Sequence, residues 1–284
     1  METSVPFDTT AELLIYAFVS LAMLCIGMNA SLRDFGVLLL DHGRTARTLV
    51  ANIVIPPIVA FLLISLLPMN ETSAAVLFLL AFAPGGINAL QFSTKAPGQM
   101  ALAGELLFLL SLLGLITAPV AAQVILASEA RAGVPGGELM LRAIGLVAVP
   151  LAIGAAIRLR ASNLAETLYK PAMLVSTLSF VAAVLLSLSV RQDALATIEP
   201  ATLVAMTVFI LALMAAGWVL GGPNPKQRQV LAAATNLRNV GLVYVLVDGC
   251  CEGGGHSVVV LAFIALMVPA NLLFTAICAK LSRR

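Results

Sequence analysis

Residues 82–97 read Phe-Ala-Pro-Gly-Gly-Ile-Asn-Ala-Leu-Gln-Phe-Ser-Thr-Lys-Ala-Pro, and here a long apolar segment stops being able to continue as an unbroken helix. Pro84 lacks a backbone donor, and Gly85 and Gly86 tolerate almost any dihedral. Directly behind this break stand Asn88, Gln91, Ser93, Thr94 and Lys95, between hydrophobic runs otherwise almost free of polar groups. A second such place lies far downstream at 232–244, Ala-Ala-Ala-Thr-Asn-Leu-Arg-Asn-Val-Gly-Leu-Val-Tyr, where Thr235, Asn236, Arg238 and Asn239 interrupt another apolar segment. Two interrupted, polar hydrophobic segments, one in each half of a chain, point to a transporter with a binding site near the bilayer midplane.

The composition agrees with that class. Of 284 residues, 61% are hydrophobic and 11% charged, against roughly 25% charged in a soluble domain. Runs of about 20 apolar residues follow one another, each long enough to span hydrocarbon as a helix. The alternation expected of a barrel is absent, and lipid satisfies no backbone donor outside a helix. The sequence therefore predicts an all-α polytopic membrane protein with a lipid bilayer as its surroundings. Nine spans are expected, at about 11–30, 47–67, 73–95, 99–127, 139–158, 170–190, 200–221, 229–248 and 257–279, with short connections and no soluble domain.

Charge gives the orientation. Apart from Arg131, Arg142, Arg191 and Arg238, all 16 basic residues fall on one side of these spans, which the positive-inside rule makes cytoplasmic. The N-terminus is then outside and the C-terminus inside. The third and eighth spans enter from opposite sides, as inverted repeats require, with a first repeat over about 11–127 and a second over about 139–281. No nucleic-acid-binding cluster, hydrolase motif or phosphate-cradling loop appears. Cys25, Cys250, Cys251 and Cys278 lack metal-ligand or redox spacing, and His42 and His256 lie on opposite sides, so no metal site or cofactor is expected.

Arg238 is the sharpest single residue, since an arginine at mid-membrane costs about 2.5 to 3.5 kcal/mol even on the lenient insertion scale. Two readings stand side by side: an ion pair with Glu105, the one carboxylate well inside a span, or contact with substrate or coupling ion. Glu105 is also the candidate for carrying a proton. Lys95 either belongs to the same site or snorkels to the cytoplasmic surface. The amides and hydroxyls behind both breaks either satisfy broken helix ends or face solute. Asn271, in the ninth span, is read as an interhelical hydrogen bond or a solute contact.

Pro84-Gly85-Gly86 with its polar sequel, the stretch Ile26-Gly27-Met28-Asn29-Ala30-Ser31-Leu32-Arg33-Asp34-Phe35, the helix ending Thr117-Ala118-Pro119, and Arg238-Asn239-Val240-Gly241-Leu242 together resemble the bile acid:sodium symporter family, in order and spacing over nearly the whole chain. The resemblance implies two crossing broken helices in a core domain, here spans 47–127 and 200–281, and a panel domain, spans 11–30 and 139–190, within a single transporter domain over 1–284. It also implies sodium ligands at positions that here carry Ala89, Leu90, Ala103, Leu107, Ala234 and Arg238, while one polar position survives as Asn52. Most of the oxygens that would hold sodium are thus missing, and a guanidinium would repel the ion by several kcal/mol at an effective dielectric of about 20. Arg238, alone or with Lys95, is expected to bridge the unwound carbonyls in the ion's place.

The reading is a secondary transporter of a small organic anion working by alternating access, not coupled to two sodium ions. Proton coupling, exchange and facilitated diffusion stay open. The alternative is a passive channel or a membrane sensor of a small solute. A compact chain of this kind suits a bacterial inner membrane.

Overall fold

The computed structural model describes residues 5–30, 36, 41–86, 97–126, 136–248 and 255–281. Every regular element among them is a helix. In chain order these are α1 (Val5–Asn29), α2 (His42–Leu66), α3 (Glu71–Ala81), α4 (Pro97–Leu126), α5 (136–160), α6 (Ser162–Val190), the short α7 (Gln192–Ala196), α8 (Pro200–Leu220), α9 (Pro225–Asn236), α10 (Val240–Asp248) and α11 (Gly255–Leu281). Eight stretches are long and apolar enough to cross a membrane, α9 and α10 together counting as one.

The apolar side chains are distributed as lipid, not water, would require. Leu66, Val124 and Val219 are each more than 70% exposed, on helices whose outward faces carry further leucine, valine and isoleucine. Burial instead marks one stretch as central: the most hydropathic window of 225–248 is 100% buried, against 22% for those of α5 and α6.

The third span is shorter than predicted. α3 ends at Ala81 because Pro84 and the two glycines cannot prolong it. Its 11 residues rise only roughly 16 Å, about half the hydrocarbon thickness. Residues 82–86 follow without helix, and the remainder of the predicted segment, 87–95, lies outside the described residues. The sixth span is longer than predicted: α6 starts at Ser162 and runs through Pro171, because one lost hydrogen bond does not outweigh the contacts the rod makes on both sides of it.

Two helices contain π-turns just ahead of a proline, Val50–Val54 in α2 and Ile144–Ala148 in α5. Pro56 and Pro150 supply no N–H to the preceding turn, so the ladder slips by one residue there. α1 packs chiefly on α5 and α6. Gly27 of α1 and Gly154 of α5 let those backbones touch, while Ser176 Oγ of α6 donates to Phe18 O of α1 at 3.2 Å and the Phe18 and Phe180 rings sit 4.6 Å apart. α8 packs on α9 and α2, with Gly217 and Gly221 against Ala232 and Arg228. The Gly-x-x-x-Gly of α8 is thus used in packing within the chain.

Candidate functional site

The site is built where two helices stop. α3 gives way after Ala81 to an extended stretch, and Gly85 takes φ +90°, a conformation glycine reaches without a Cβ clash. That turn lays the chain against α4, where Thr117 Oγ1 donates to Phe82 O at 2.6 Å. α9 ends at Asn236; Leu237 has ψ 93°, and α10 begins at Val240.

The two interruptions are hydrogen-bonded to each other. Gly86 N–H donates to Leu237 O at 3.0 Å, and Asn239 N–H donates to Ala83 O at 2.8 Å. As the number on one segment rises, its partner's falls, so the segments run past each other in opposite senses. The approach is so close that a Cβ on Gly86 would lie 2.5 Å from Arg238 O and 2.6 Å from Leu237 O.

Arg238 lies beneath this contact and is 1% exposed. Its Nε donates to Leu80 O at 2.9 Å, Nη2 to Ala81 O at 2.6 Å and to Asn52 O at 3.4 Å, and Nη1 to Thr235 O at 3.3 Å. No carboxylate is among these acceptors. The ion pair with Glu105 is therefore not what satisfies the guanidinium; Glu105 lies half-buried on α4, next to the Gly104 on which Asn29 packs.

Each acceptor is a carbonyl that lacks the i+4 donor of its own helix, although Leu80 O also accepts Ala83 N–H at 3.2 Å. Asn52 O would bond the N–H of residue 56 in an α-helix or 57 in a π-helix, and both are proline. Leu80 O would bond residue 84, again proline, and Ala81 O would bond Gly85, which is past the helix end. Thr235 O would bond Asn239 N–H, which is given to Ala83 instead. Four of the five guanidinium N–H groups are used in this way.

The surrounding polar residues divide by role. Asn52 Nδ2 donates to Thr48 O at 3.0 Å and to Thr235 Oγ1 at 3.3 Å, tying α2 to α9. Asn239 Oδ1 accepts from Leu242 N–H at 3.1 Å, which caps the start of α10. Asn236 is fully buried, and neither its Oδ1 nor its Nδ2 has a partner among the described residues; Asn52 Oδ1 is likewise unpartnered. Asn271 bonds within its own helix, Nδ2 to Met267 O at 2.8 Å, and not across helices. Asn88, Gln91, Ser93, Thr94 and Lys95 lie outside the described residues.

α1 closes the site from the other side. Phe18, Val19, Ala22 and Met23 face Gly86, Arg238, Asn239, Val240 and Gly241 across a cavity of about 10 Å³, room for roughly one water. One to two turns along the same face of α1 lie Tyr16 and Glu12, with the Tyr16 hydroxyl donating to Glu12 Oε1 at 2.6 Å. On α10 the matching positions are Tyr244 and Asp248. Asp248 lies within electrostatic reach of Glu12, Arg142 and Arg191. Neither Glu12 nor Asp248 is among the site residues expected from the sequence. The usable signal was a Tyr–carboxylate pair spaced four residues apart on each helix.

A membrane protein, helical throughout its described regular elements, whose central buried stretch breaks and is bonded there to the end of a second helix has the features of a membrane transporter. The comparison with known families makes this specific: residues 16–217 match the Sodium Bile acid symporter family, more than two thirds of the chain, and the protein belongs to that family. Its members are transporters and not enzymes. No curated protein matches the chain.

Proposed function

We propose that this protein is a secondary transporter of a small organic anion, working by alternating access without sodium as the coupling ion. The observation that carries the reading is the pair of hydrogen bonds joining the 83–86 and 237–239 breaks beside a cavity that α1 closes. On this reading α3 with its sequel and α9–α10 are the two crossing broken helices of inverted repeats. The rods around them form a core, and α1, α5 and α6, which pack on one another, form a panel.

The chemistry of the cavity favours an anion. Its floor is the N-terminus of α10, with Val240 and Gly241 lining it, and a helix N-terminus carries about half a positive charge. Arg238 adds positive potential from below without offering a free fork, since four of its N–H groups are occupied. A space for one water admits no solute, so binding requires α1 to separate from α10, and that separation is the access step. Glu12 of α1 and Asp248 of α10 lie along the same seam and move apart with it.

Counterflow in proteoliposomes tests the proposal. A panel of small carboxylates is loaded inside, and uptake of the labelled compound is followed with sodium, potassium or choline outside. The reading expects saturable counterflow for at least one carboxylate, equal in all three salts. Flux that neither saturates nor shows counterflow would make the protein a channel, and strong sodium dependence would contradict the coupling part.

A further inference from the structure

A family named for sodium raises the question of what cation these residues suit. The four carbonyls around Arg238 come from α2, α3 and α9, and none receives an i+4 N–H from its own helix, Leu80 O keeping only the bond from Ala83 N–H. Two of these elements, α3 and α9, end there, so their negative dipole ends converge on one point. Asn52, which supplies one carbonyl, also carries a buried Oδ1 without a partner. Converging carbonyls at two helix C-termini select a cation and not merely a hydrogen-bond donor. In this chain the cation is covalently attached, and among the described residues its acceptors are carbonyl dipoles and no carboxylate.

We propose that Arg238 is a tethered cation that permanently fills an oxygen cage formed by Asn52 O, Leu80 O, Ala81 O and Thr235 O, and that the cage binds a small free monovalent cation once the guanidinium is removed. A mobile ion would bind and leave with its concentration, and the α2–α3–α9 junction would tighten and loosen with it. A tethered one holds the junction assembled in any salt. Arg238 is then a positioning residue for the crossover, and its fork is committed to protein oxygens instead of solute. This deepens the sodium-free part of the proposed function, but it stands on the cage alone.

The experiment is thermal unfolding of purified full-length protein, in choline chloride with sodium chloride or low-millimolar guanidinium chloride added at constant ionic strength. Wild type is expected to melt at the same temperature in every salt. Arg238→Ala is expected to melt about 5 to 10 °C lower and to recover part of that loss, saturably, with guanidinium or sodium and not with choline, which is too large for the cage. Arg238→Met restores volume without charge and is expected to stay as unstable as Ala, whereas Arg238→Lys lies between Met and wild type. If the Ala variant does not fold, the order of Lys over Met still decides. A Met variant as stable as wild type, no saturable recovery of Ala with either small cation, or wild type stabilised by sodium would each overturn the proposal. No transported solute enters the assay, so its failure leaves the transport reading standing, and an absence of transport leaves this one standing.

Discussion

Asn239 and Gly86 show how single residues hold the crossover. Asn239 gives its N–H to Ala83 O and its side-chain oxygen to Leu242 N–H, so one residue joins the two breaks and starts α10. Asn239→Ala keeps the first bond and loses the second, and is expected to cost about 1 kcal/mol, with Asn239→Asp retaining most of the stability; thermal unfolding of the two variants checks this. Gly86→Ala would drive a methyl into Leu237 O and Arg238 O. Since neither backbone can retreat without breaking the Gly86–Leu237 bond, a loss of about 2 to 4 kcal/mol is expected. A Gly86→Ala variant that melts like wild type would show that the two segments are not in contact. The same reasoning explains what could be read in advance at this scale. Pro84, Gly85 and Gly86 announce a break by their covalent structure, and Arg238 announces a need for partners by its charge. The partners themselves were not legible, because backbone carbonyls belong to every residue. The clue lay four residues on, in Pro56 after Asn52 and Pro84 after Leu80.

At the scale of elements, the prolines act by withholding donors. Pro84→Ala offers Leu80 O an N–H and allows α3 another turn, in competition with Arg238 Nε. Because a helical bond replaces the one lost, stability is expected to change by less than about 1 kcal/mol, while amide exchange at 83–86 slows and counterflow falls. Unchanged transport with a lengthened α3 would show that the break is not needed. Pro171 is the contrasting case: it stands at the start of the expected 170–190 span, yet α6 passes through it, since a long rod packed on both sides tolerates one missing bond. Proline alone therefore does not separate a break from a kink. The neighbouring glycines do, as 84–86 has them and 170–172 does not. That Glu12 and Asp248 are neighbours is illegible for a different reason: nothing in either segment states that α1 and α10 lie side by side.

For the whole molecule, composition alone established a helical membrane protein, and the family match to residues 16–217 establishes a transporter. The account adds that its centre is two interrupted helices bonded to each other around a built-in cation. Replacing sodium by potassium or choline is therefore expected to alter neither counterflow nor melting of the wild-type protein. The most direct measurement is a pair of cryo-electron microscopy maps of the protein in lipid nanodiscs, one in sodium-containing and one in sodium-free buffer. The account predicts the same result in both: breaks at 82–86 and 237–239 in mutual contact, and the Arg238 guanidinium on the carbonyls of Asn52, Leu80, Ala81 and Thr235. Helices running straight through Pro84 and Arg238, or a guanidinium swung away with ion density in its place when sodium is present, would contradict it.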